Sequence, residues 1–208
     1  MTTVSRTPSA GALLTRPLVR ALLVVLAGFL LGGLTSYAQG FLPEAFSSFA
    51  NSSSGWTILT VALVFWSRLR TGPAAALGTA TFVVLLLGYS VAAQLRGYYY
   101  DPTTWLVIGI VVGPFVGVAA AWLRGTGLGA ALAAGVLAGV GLGEAVYGLT
   151  VVHETTSPVY WSVLGVAALA LLVGMLVRRV RGALPAAVAV VTALVVTAGV
   201  PVGYASLG

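Results

Sequence analysis

GVGLGEAVYG, residues 139–148, is an apolar run broken by one carboxylate, Glu144. Its surroundings decide which solvent the fold is built for. Of 208 residues, 59% are hydrophobic and 7% charged, whereas soluble domains carry about 25% charged residues. That inventory cannot cover a water-exposed surface, so the chain folds against lipid. An acid inside such a segment is costly, and it faces either the bundle interior or a wet cavity.

Working outward, runs near the ~20 residues needed to cross a bilayer occur at 18–39, 55–67, 73–95, 104–123, 126–150, 158–177 and 183–204, the second being short. Breakers and charges separate them, in FLPEAFSSFANSSSG, SRLRTGP, RGYYYDP, RGTG, HETTSP and RRVRGALP. The sequence therefore predicts an all-α, polytopic bundle of seven spans as a single domain over residues 17–208. Residues 1–16 read as a disordered cytoplasmic tail.

Charge placement tests the count. All ten basic residues are arginine, against four acids. With the N-terminus inside, Arg6, Arg16, Arg20, Arg68, Arg70, Arg124, Arg178, Arg179 and Arg181 fall on the cytoplasmic side, and Arg96 alone falls outside. This asymmetry is what the positive-inside rule asks for. It keeps the short second span, puts the C-terminus outside, and places the chain in the inner (plasma) membrane. Arginines scattered between apolar runs read as loop anchors, which argues against nucleic acid as a partner. An alternative for the first span is a cleavable signal peptide ending near Ser36-Tyr37-Ala38.

Small residues let membrane helices approach closely. The fourth span carries Gly109, Gly113 and Gly117, and the fifth carries Ala131, Gly135, Gly139 and Gly143. Joined by a short turn, these two ridges are expected to pack on each other as the tightest contact in the protein. Gly28 and Gly32 offer the first span a weaker version. Pro114 is expected to free a carbonyl near Ile110 and kink the fourth span.

Glu144 lies six residues before the end of its span, about 9 Å below the outer surface at 1.5 Å per residue. Tyr147 shares its face. Gln39, Gln94 and Trp56 also sit toward the outer side, and Asn51 lies in the long first outer link. The expectation is an outward-open cavity lined by the first, third and fifth spans, with Glu144 at its base and Tyr147, Gln39, Gln94, Trp56 and Asn51 as ligand-binding candidates. The link FLPEAFSSFANSSSGW would close over it as a lid. A hydrogen-bonded structural acid is the competing reading of Glu144. No metal site is expected from one His and no Cys, and no cofactor or catalytic residue is assigned, because neither an activated nucleophile nor a phosphate-binding glycine loop with lysine occurs.

LLGGLTSYAQGFLP (30–43), FANSSSGW (49–56), VGPFVGVAAAWLR (112–124) and GEAVYG (143–148) resemble a family of uncharacterised multi-pass bacterial membrane proteins, a domain of unknown function. That resemblance implies fold and membrane location only. More loosely, the size and the polar outer end look like the substrate-binding subunits of energy-coupling-factor transporters, though those have six spans with both ends inside. The sequence thus leaves two main readings, with a membrane-embedded enzyme a more remote third. One is a small-molecule-binding or transport-associated subunit. The other is an assembly partner of a second membrane protein, or of another copy of itself, through Gly-rich helix faces.

Overall fold

The structure is a computed structural model that describes residues 10–206, with side chains described from Arg16 onward. It contains α1 (Ala10–Phe41), a 3-10 helix (Glu44–Asn51), α2 (Ser53–Ser67), α3 (Thr71–Leu95), α4 (Thr103–Trp122), α5 (Gly127–Thr150), α6 (Pro158–Arg178) and α7 (Ala183–Ala205). All are helices. Six are long and apolar enough to cross a membrane, and α2 is the shorter apolar helix. Of the N-terminal tail, residues 1–9 lie outside the described residues, and residues 10–16 form the first turns of α1.

The boundaries follow from local chemistry. Ser52 caps α2 by accepting from the Gly55 N–H, the role for which serine is favoured at this position. The helix stops at Arg68, which takes the left-handed conformation at φ 56°. After α3, Gly97 adopts φ 81°, its N–H bonds Gln94 O, and the Tyr98 N–H bonds Ala93 O. That pair of bonds closes a Schellman turn and fixes the exit of the chain. Pro158 opens α6 at a position where its missing N–H costs nothing. Pro114 sits inside α4, which runs unbroken through it from Thr103 to Trp122.

The glycine rows find different partners from those expected. A methyl at Gly113 or Gly117 would strike the α3 backbone at Gly78–Thr79 and Ala74, and one at Gly109 would press on Phe82. The α5 row faces α7: a methyl at Gly139 would lie 2.8 Å from Ala193 O, and one at Gly143 2.9 Å from Thr197 O. Gly135 meets Ala189 and Thr192 in the same way. The expected α4–α5 ridge contact is thus corrected: α4 packs on α3, and α5 packs on α7. A short turn keeps two helices adjacent at one end only, and a smooth face accepts whichever helix fits. Gly32 on Leu85 and Gly88 on Phe29 make α1–α3 another close pair. So α3 is held between α1 and α4, and α5 between α6 and α7. Of the six long helices, α5 is the most buried and α7 the least.

Short α2 joins the two halves. Its 15 residues span about 22 Å at 1.5 Å per residue, less than the ~30 Å hydrocarbon core. At its C-terminal end the Arg124 guanidinium donates to Phe65 O at 2.9 Å and to Leu69 O. Arg179 in turn donates to Arg124 O at 3.0 Å. The turns after α2 and α4 and the end of α6 are thereby tied at one end of the bundle. Burial, and after it the charge of Arg68, push Arg124 below the usual arginine value. A cation on terminal carbonyls complements the helix dipole. Arg124→Gln is expected to lower stability by about 1.5–3 kcal/mol, the range for charged hydrogen bonds, read as an earlier thermal transition in detergent.

Candidate functional site

At the other end of α2 the first amide groups need partners, because a helix leaves its leading N–H groups without intrahelical acceptors. In hydrocarbon no water can serve. Glu144 reaches across from α5 to supply them. The Ser53 N–H donates to Oε1 at 2.9 Å, and the Ser54 N–H donates to Oε2 at 2.7 Å. The Tyr204 hydroxyl, from α7, donates to Oε1. A carboxylate can accept at both oxygens, and here the two oxygens meet three donors. The side chain is 2% exposed. The carboxylate also lies at the positive end of the α2 dipole.

The serine run extends this network. Ser53 Oγ is 2.6 Å from the Tyr204 hydroxyl, so Ser53 donates to Tyr204 as Tyr204 donates to Glu144. Ser52 Oγ and Ser54 Oγ lie 2.8 and 3.0 Å from the Tyr160 hydroxyl of α6. Tyr147 stacks on Tyr204 with ring centres 4.6 Å apart. One short helix end is thus gripped by α5, α6 and α7 together.

The proposed ligand residues do not converge on Glu144. Tyr147 reaches it through Tyr204. Gln39 and Trp56 form a separate group, both donating to Ala50 O at 3.4 Å, with Gln39 also bonding the Tyr89 hydroxyl at 3.1 Å. Gln94 and Asn51 are exposed. The expected cavity between the first, third and fifth spans is corrected accordingly: the Glu144 carboxylate turns to α2 and α7, and its oxygens are taken by protein donors. The link between α1 and α2 forms the 3-10 helix, which packs against α1, α2 and α6. Ser52, Ser53, Ser54, Tyr160 and Tyr204 carry the arrangement, and none is among the residues that the sequence marks as ligand-binding candidates. The available signal was Ser-Ser-Ser before a short apolar run, a helix-start pattern.

Two hollows lie elsewhere, and Glu144 lines neither. The larger, about 620 Å³, is a groove between α2 and α6 floored by α5. Its walls include Thr57, Val61 and Phe65 of α2, Val140 of α5, and Ala170 and Gly174 of α6. The groove opens where α2 and α6 diverge over α5, beyond the contact between Ser54 and the Tyr160 hydroxyl that joins them at one end. Arg178 and Arg179 stand at one end of it and Ser54 at the other. The smaller hollow, about 290 Å³, lies beside the 3-10 helix at Phe46 and Phe49 and shares Ile58, Leu164 and Ala167 with the groove. Among the described residues, no cluster of three or more His, Cys, Asp or Glu is placed to hold a metal.

A family model described as a family of unknown function (DUF6518) matches residues 11–208. No curated protein and no solved structure matches the chain.

Proposed function

The chain belongs to this family of unknown function, and on that premise we propose that it binds a small amphiphilic molecule drawn sideways from the bilayer into the groove between α2, α5 and α6. A ligand-binding or transport-associated subunit would use such a hollow. We place the protein in the bacterial inner membrane, with the Arg68, Arg124 and Arg179 end facing the cytoplasm by the positive-inside rule.

One observation carries the reading: a mostly apolar recess of about 620 Å³ between α2, α5 and α6, within the ~300–1,000 Å³ range of small-molecule sites. The packing around it is otherwise close, since glycines bring α5 onto α7 and α4 onto α3. Gly174 in the groove wall has no atom within 4 Å of where a methyl would go. Assembly with another protein through the glycine ridges finds less support, because Gly109, Gly113, Gly117, Gly135, Gly139 and Gly143 all face helices of the same chain.

The open space at Gly174 supplies the test. Gly174→Trp should fill the groove while leaving the thermal transition near that of the parent. In proteoliposomes carrying a photoactivatable fatty acid, the parent should be labelled at groove residues of α2 and α6, and the variant about tenfold less. Equal labelling of parent and variant would remove the groove as a binding site.

A further inference from the structure

We infer that the occupant of the groove is an anionic phospholipid of the surrounding leaflet, its phosphate held between Arg178 and Arg179 and one acyl chain lying along α6 toward Leu164. This rests on the groove being a binding site, and adds the identity and direction of what fills it.

Charge supplies the first reason. Arg178 and Arg179 line one end of the groove, and Arg68 and Arg124 stand at the same end of the bundle. The chain has four acids, and none lies there. Glu44 belongs to the 3-10 helix, Asp101 to the α3–α4 link and Glu154 to the α5–α6 link, all at the opposite end. Glu144 is committed to α2 and Tyr204. The arginine cluster therefore has no internal counter-ion, and phosphate is the anion a membrane presents at that depth. Arg179 spends one guanidinium nitrogen on Arg124 O, which fixes its position and leaves other donors to form the forked contact phosphate favours.

Dimensions supply the second. From Leu164 to Arg178 the groove follows α6 for 14 residues, roughly 21 Å. On the α2 side it runs from Ser54 to Phe65, roughly 16 Å. Half of a ~30 Å core is one leaflet, so the groove is about as deep as one acyl chain is long. The smaller hollow continues from its far end. A volume of about 620 Å³ suits one chain, which leaves the second chain of the lipid in the bilayer beside Ile58 and Phe65, both exposed. The walls offer hydroxyls only at Ser54 and Thr57, away from the arginines, so the polarity of the groove runs from the cationic end into hydrocarbon.

The test compares parent, Arg178→Gln/Arg179→Gln and Gly174→Trp, each reconstituted in equal mixtures of phosphatidylglycerol and phosphatidylcholine, extracted in mild detergent and read by native mass spectrometry. The parent should keep one phosphatidylglycerol per chain in roughly thirtyfold preference, two arginines each contributing on the scale of a surface cation. The double variant should still keep one lipid, with the preference reduced to near unity. Gly174→Trp should keep none. An unchanged preference in the double variant overturns the phosphate assignment while leaving the groove intact. Full retention by Gly174→Trp overturns the groove itself. A retained free fatty acid in the parent overturns the choice of phospholipid. Tm of each variant is read alongside, and Arg178→Lys/Arg179→Lys, which keeps the charge, should restore most of the preference.

Discussion

Glu144→Ala should be the most damaging single change in the molecule outside its helix-crossing glycines, lowering stability by about 3–5 kcal/mol. Three donors lose their acceptor at once: the buried Ser54 amide and the part-buried Ser53 amide and Tyr204 hydroxyl. Each stranded donor costs about 1–3 kcal/mol, and the total is held down by water or a shifted serine reaching part of the vacated space. For a chain of this size that corresponds to roughly 10 °C in Tm, measured by fluorescence-detected size-exclusion after heating in detergent. Glu144→Gln should fall between parent and alanine, since its one carbonyl oxygen still accepts while its amide nitrogen faces donors. Tyr204→Phe, which removes one donor and leaves the carboxylate on the amides, should cost about 1 kcal/mol. A Glu144→Ala protein that melts with the parent would mean that the carboxylate does not hold α2. The ranking also separates capping from a ligand role, because a ligand-binding acid freed of its burden would leave stability unchanged or raised.

This account explains why α2 is short. A helix of 15 residues is shorter than a ~30 Å hydrocarbon core, so inside a bilayer it would leave a polar end where lipid cannot satisfy it. The chain answers with opposite charges from elsewhere in the bundle, Glu144 of α5 at the N-terminal end and Arg124 of the α4–α5 turn at the C-terminal end. Each sits at the pole of the helix dipole it complements. Because Ser54 both bonds Glu144 and lines the groove, the same contact sets one wall of the proposed lipid site.

The spans were legible because length and hydropathy are local properties. The run predicted at 183–204 is α7 at Ala183–Ala205, and the run at 73–95 is α3 at Thr71–Leu95. Glu144 was legible as an anomaly, since an acid in lipid demands a partner. Its partners were not legible: backbone amides carry no sequence signature, and Tyr204 lies 60 residues away. The glycine rows were visible, but a smooth helix face records that something comes close without recording what. Gly113 and Gly139 read alike, yet one faces α3 and the other α7. The groove left no trace in the sequence at all. It arises where α2 and α6 part beyond Ser54 and Tyr160, and a divergence between distant helices has no local pattern.

Alanine placed on the glycines should divide them sharply, and this is the second large effect. At Gly32 the added methyl would overlap Leu85 O, at Gly88 Phe29 O, and at Gly117 Ala74 O, all main-chain atoms of the facing helix. Backbone in a packed helix cannot step aside as a side-chain tip can, so the helices must separate, and the contacts beside the clash are lost with it. Overpacking of this kind costs about 1–3 kcal/mol or somewhat more, and Gly32→Ala with Gly117→Ala should exceed Glu144→Ala when combined, because they open the two faces of α3. At Gly174 the same methyl meets open space, and replacing a mid-helix glycine with alanine removes about 0.5–1 kcal/mol of backbone entropy cost. Gly174→Ala should therefore melt slightly above the parent while Gly32→Ala and Gly117→Ala melt well below it. A uniform response across the three would mean that α3 is not held between α1 and α4 at glycine crossings, since only contact with a neighbouring helix distinguishes these positions from one another.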